Sequence, residues 1–138
     1  MQTPQTLNTA ARATLDAWHA MIATRDTRGL PALLDANAVF RSPVANKPYQ
    51  GATVVAVILQ AAEQVFSNFV YHRAFVSDDG QSVVLEFSAD VGDKSLKGID
   101  MIRFDDAGKI VEFEVMVRPA TGVQALGEAM GQRLAGRV

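Results

Sequence analysis

The sequence predicts an α+β fold in which helices lie on one face of a curved antiparallel sheet. Two observations carry this. Apolar residues up to Phe66 recur mostly at helical spacing of three and four, and from Phe69 for fifty residues the pattern changes to long β-rich segments separated by short turns. A third is the return to helical spacing after Pro119, which predicts a C-terminal helical tail.

In the segment from Pro4 to Thr24, Leu7, Ala11, Leu15, Trp18 and Ile22 form one helical stripe, with Thr3 before Pro4 as the start signal. Asp26 to Leu34 reads as a second, short helix, acceptable to Pro31 only in its first turn, and Asp35-Ala36-Asn37 ends it. Ala38 to Ser42 is a short strand stopped by Pro43, and Pro43 to Gly51 is a loop. Val54, Val55, Ile58, Leu59, Ala62, Val65 and Phe66 give a third helix, Ala52 to Phe66, a broad apolar face. Four strands follow, Phe69–Val76, Ser82–Val91, Ser95–Phe104 and Lys109–Val117, and turns this short make them antiparallel neighbours. The tail helix runs from about Thr121 to Leu134, with Val123, Leu126, Ala129, Met130 and Leu134 on its apolar side.

Composition narrows the function classes. The 138 residues suit one domain, 1–138, and are 49% hydrophobic and 20% charged, which excludes disorder. No apolar run approaches the roughly 20 residues of a membrane span. Without cysteine there are no disulfides or thiolates, and two histidines alone make a metal site unexpected. Met1 to Ala11 lacks the basic start and apolar stretch of a secretory leader, so a cytoplasmic protein is expected. A net charge of −2 without a basic block argues against nucleic acid, and scattered glycines form no phosphate loop, so no cofactor is expected.

Strand alternation assigns the sheet faces. Val83, Leu85, Phe87 and Ala89 form a core side, as do Val111, Phe113, Val115 and Val117. The strand from Ser95 breaks the rule, because the face of Leu96, Gly98, Ile102 and Phe104 also carries Asp100. A carboxylate in an apolar row must be paired, hydrogen-bonded, protonated or in a wet cavity. Asp100 therefore either satisfies a backbone group or an arginine, or serves as a pocket acid with a raised pKa. Tyr71 and His72 are strand neighbours, so one of them faces inward, and the parity of their strand leaves open which.

The Ser42-Pro43-Val44 strand end, Tyr49-Gln50-Gly51 before the third helix, and Gly98-Ile99-Asp100-Met101-Ile102-Arg103-Phe104 followed by Gly108-Lys109-Ile110 together resemble the nuclear transport factor 2-like superfamily. Within it, the pattern is most similar to SnoaL-like and ketosteroid-isomerase-like proteins. The resemblance implies a cone-shaped cavity between helices and sheet, lined by Trp18, Phe40, Ser42, Tyr49, Val83, Leu85, Phe87, Asp100, Ile102, Phe113 and Val115. It also implies a homodimer through the outer sheet face, where Val70, Val84 and Met116 lie among Glu86, Glu112, Glu114 and Arg118.

Ketosteroid isomerases combine a carboxylate base, a tyrosine and a protonated aspartic acid in an apolar pocket. On that pattern Asp100 takes the place of the protonated acid, Ser42 stands where the base would be, and Trp18 where the helix-one tyrosine would be. Serine is no base near pH 7 without a partner, and indole accepts no proton, so true ketosteroid isomerisation is disfavoured. The expected ligand is a small, largely apolar molecule. It is transformed by isomerase-, cyclase- or hydrolase-type chemistry with Asp100 as the catalytic acid, or only bound by a non-catalytic or dimeric module.

Overall fold

A computed structural model describes residues 3–138; Met1 and Gln2, which open the segment read as leaderless, lie outside the described residues. In chain order it contains α1 (Thr9–Thr24), a single 3-10 turn (Leu30–Leu33), β1 (Leu34–Arg41), β2 (Tyr49–Gln50), α2 (Ala52–Val65), β3 (Ser67–Val76), β4 (Ser82–Val91), β5 (Lys94–Phe104), β6 (Ile110–Arg118) and α3 (Ala120–Leu134).

Helix α1 starts later than its apolar stripe suggests. Asn8 has extended ψ and caps the helix through its backbone, while its side chain reaches Gln81 Oε1 at 3.1 Å and its N–H donates to the Gly80 carbonyl at 2.9 Å. The segment before α1 is thereby docked on the β3–β4 turn, with Leu7 buried as the stripe requires. The second helix shrinks to the 3-10 turn, with Pro31 at its start as proline geometry demands. Asp35-Ala36-Asn37 do not form a break between elements. They belong to β1, where Leu34, Ala38 and Phe40 are buried on one face and the pairing with β6 shifts register between Leu34 and Val39.

The six strands form one sheet in the order β2-β1-β6-β5-β4-β3. It is mixed, because β1 runs parallel to β6 while every other pairing is antiparallel. The connection between β1 and the long meander passes through α2, which is what lets the first strand return alongside the last. Gly51 sits at φ 102°, a left-handed conformation that glycine adopts without strain, and it turns β2 directly into α2.

Most of the core fills the concave side. Leu7, Ala11, Leu15 and Trp18 of the amino-terminal segment share one buried cluster with Phe40, Val55, Ile58, Leu59, Val83, Leu85, Ile102 and Phe113. A smaller cluster joins Phe87, Ala89, Val91 and Leu96 to Leu126 of α3. Where Phe87 pairs opposite Gly98, a Cβ on that glycine would stand 2.5 Å from the Met116 carbonyl and 2.7 Å from the Phe87 ring. The absent side chain makes room for the phenyl group.

Candidate active site

A cavity of about 640 Å³ opens between the sheet, α1, α2 and α3. Its wall carries Trp18, Phe40, Ser42, Tyr49, Asp100, Phe113 and Val115, all expected from the sequence. Four expected lining residues are elsewhere. Val83, Leu85 and Ile102 are fully buried in the main core, and Phe87 is enclosed by its own aromatic neighbours, with Phe69 stacked on it at 4.9 Å. Facing the concave side is not the same as reaching the cavity, because much of that side is sealed by packing.

The wall also contains residues that strand parity could not supply. Ile58, Leu59, Ala62 and Phe66 come from the α2 side, and Leu126, Gly127, Met130, Gly131 and Leu134 come from α3, which closes one flank. Their helical apolar stripes were legible; which of those residues would border open space was not.

Asp100 is 5% exposed in the middle of β5, paired opposite Leu85 on one side and Val115 on the other. Its Oδ2 accepts a 2.5 Å hydrogen bond from the hydroxyl of Tyr71, which in turn accepts one of 2.9 Å from Trp18 Nε1. Asp100 Oδ1 has no hydrogen-bond partner among the described residues, and the carboxyl lies on the cavity wall. Neither a backbone group nor an arginine satisfies this acid. Burial raises its pKa to about 7, against the lowering effect of the Tyr71 hydrogen bond. Burial and the neighbouring Asp100 charge push the Tyr71 phenol well above its ordinary value, so it serves as a donor.

The Trp18–Tyr71–Asp100 chain resolves the parity question in β3. Tyr71 faces inward, opposite Phe87, whereas His72 is exposed and bonds Ser88 Oγ at 2.8 Å. The pairing shifts between Tyr71 and Ala74, so both can face the core while Arg73 and Phe75 lie outside. Alternation cannot foresee this, because a bulge resets it.

Ser42 is committed locally. Its Oγ accepts the backbone N–H of Val44 at 2.9 Å and of Ala45 at 3.3 Å, which folds the loop at the cavity mouth. His19, next to Trp18, has both ring nitrogens buried without a partner and its ring tilted against Tyr71 at 5.5 Å. Burial lowers its pKa. Among the described residues, no group of three or more His, Asp and Glu side chains is placed to hold a metal ion, and no helix is long and apolar enough to cross a membrane.

The fold and the wall can be set beside known proteins. A family model for the SnoaL-like domain matches residues 15–113. Among solved structures, a steroid delta-isomerase from Pseudomonas aeruginosa is 64% identical, with 94% of each chain covered and a TM-score of 0.92. An uncharacterised bacterial protein with a cystatin-like fold from Silicibacter pomeroyi is 32% identical over 94% of this chain and 90% of its own, at a TM-score of 0.85. An NTF2-like protein of unknown function from Mesorhizobium loti shares the fold at 19% identity, covering 85% of this chain and 98% of its own, with a TM-score of 0.72. Nothing among curated proteins matches the chain. With the α+β architecture, the curved mixed sheet and a family match over most of its length, the chain belongs to the SnoaL-like domain family of the NTF2-like fold.

Proposed function

We propose that the protein binds a small, largely apolar molecule carrying a carbonyl or comparable oxygen, and that Asp100, in its neutral form, donates a hydrogen bond to that oxygen as the pocket acid. The observation that carries this is the free Oδ1 of a buried, cation-free carboxyl on the wall of a mainly apolar cavity. A neutral donor in such a site stabilises negative charge developing on the ligand oxygen, which is the basis of isomerase-, cyclase- and hydrolase-type catalysis without a cofactor. Tyr71 positions the carboxyl by holding Oδ2, and Trp18 positions Tyr71. The steroid delta-isomerase named among the similar structures supports the isomerase-type form of this reading.

A second reading, a binding module without chemistry, is favoured by Ser42. Two backbone donors occupy its hydroxyl oxygen at the place where a base would be needed, and steroid isomerisation by two carboxyls is disfavoured for the same reason. A 3-oxo-Δ5-steroid separates the readings. Quenching of Trp18, the single tryptophan, reports binding, and absorbance of the conjugated Δ4 product reports turnover. Turnover above buffer that Asp100→Leu, which removes the donor, abolishes supports the enzyme, and binding without turnover supports the module. Failure of 3-oxo steroids and of smaller apolar ketones alike to bind sinks both.

We also propose that two copies associate through the outer sheet face. Phe75, Val70 and Met116 are about half exposed there. Arg73 and Lys97 hold Glu86 at 2.7 and 2.9 Å, and Arg103 holds Glu112 at 2.7 Å, so the face is apolar patches among balanced charges.

A further inference from the structure

We propose that the same cavity takes hydrophobic amines in their protonated form, with the ammonium group on the free Oδ1 of Asp100 and the apolar body against Trp18, Phe113 and Phe40. This rests on the reading that Asp100 is the polar anchor of the cavity, and extends it to a second ligand class.

Three observations carry the inference. The first is electrostatic. Arg25 is the only basic residue on the described cavity wall, and Glu63 already engages it, through a 2.8 Å ion pair and a 3.1 Å bond to the Glu63 carbonyl. No cation therefore offsets Asp100 inside, and an ionised carboxyl there is paired only when a ligand supplies the positive charge.

The second is the immediate surrounding of the acid. From β4 and β6 it faces Leu85 and Val115, and from β3 it faces Tyr71, a donor that stays neutral; α1 contributes Trp18 through that tyrosine. None of these competes with an ammonium for Oδ1. The third is aromatic. Trp18 meets Phe113 edge-on at 5.3 Å, and Phe113 lies 6.1 Å from Phe40, so a ring cluster borders the wall that carries the carboxyl. Aromatic faces attract desolvated organic cations as well as apolar bodies. Neutral Asp100 suits an oxygen acceptor, ionised Asp100 suits an ammonium, and a carboxyl that titrates to about 7 offers both forms near neutral pH.

The test uses three cage compounds of nearly equal size, 1-aminoadamantane, 1-adamantanol and 2-adamantanone, with Trp18 fluorescence and calorimetry at pH 8. A charge-assisted hydrogen bond predicts that the amine binds about tenfold or more tightly than the alcohol. Asp100→Asn should remove that preference. Wild-type protein provides a second readout independent of any variant's folding. At pH 6, amine binding should release a proton from Asp100, seen as different binding heats in buffers of different ionisation enthalpy, whereas ketone binding should release none. Equal affinity for amine and alcohol, or no proton release, overturns the inference. Ketone binding without amine preference leaves the proposed function standing alone, and absence of binding by all three overturns the inference while the 3-oxo steroid test decides the proposed function.

Discussion

The hydroxyl of Tyr71 on β3 donates to Oδ2 of Asp100 on β5 at 2.5 Å, across the intervening strand β4. The bond stabilises the ionised form of the acid and so opposes burial, the larger effect, which raises the pKa. Tyr71→Phe removes it, and the Asp100 carboxyl should then titrate above its present value of about 7, as followed by carbon NMR of the labelled side chain. A titration unmoved or lowered would show that the hydroxyl does not govern the acid.

Binding of a neutral oxygen ligand requires the protonated carboxyl. Below pH 7 Asp100 is mostly neutral and affinity for a 3-oxo steroid should be level. Above it, affinity should fall about tenfold per pH unit as the donor is lost. Asp100→Asn keeps an N–H donor that does not titrate, so its binding curve should be flat from pH 6 to 9.

His19 makes acid stability depend on one half-buried ring whose nitrogens have no partner among the described residues. The folded chain keeps it neutral below the ordinary histidine value of 6.5, where the unfolded chain already protonates it. The unfolded state therefore binds more protons there, and the stability contributed by the neutral ring is present above pH 6.5 and lost as pH falls through the lowered folded value. His19→Phe should reduce the loss of stability between pH 6.5 and pH 5 in urea titrations, with little change at pH 8.

Gly98→Ala tests the packing beneath Phe87. The added methyl would meet the Met116 carbonyl at 2.5 Å and the phenyl ring at 2.7 Å, and neither a strand backbone nor an enclosed ring can retreat easily. A loss of about 2 kcal/mol is expected from denaturant unfolding, in the range of overpacked core substitutions.

If the outer sheet face joins two copies, Phe75→Glu should shift the chain from dimer to monomer in sedimentation velocity. Phe75 is 53% exposed and lies under the Arg73 guanidinium at 5.5 Å, so the substitution removes an apolar contact without disturbing the core. A monomeric wild type would end the dimer proposal directly.

The α+β plan, the limits of the four meander strands and of the last two helices to within about two residues, and the one acid in an apolar row follow from periodicity and local turn chemistry. By contrast, α1 starts at Thr9, the second helix is only a 3-10 turn, β1 begins at Leu34 and the expected loop before α2 contains β2. Asp100 was conspicuous for a reason that needs no coordinates: charge does not belong on the core face of a strand. Its partner is set by how the strands assemble. Tyr71 lies on the core face opposite Phe87, while the shift after it sends Arg73 and Phe75, which share its parity, to the outside, and it reaches Asp100 across a strand because β3 and β5 are not neighbours in the sheet. The same holds for the cavity wall. Val83, Leu85, Phe87 and Ile102 share the core-facing sides of their strands, yet packing seals them off, whereas Gly127 and Gly131 of α3 border open space. Alternation tells which way a side chain points; what it meets there depends on how distant elements close over it.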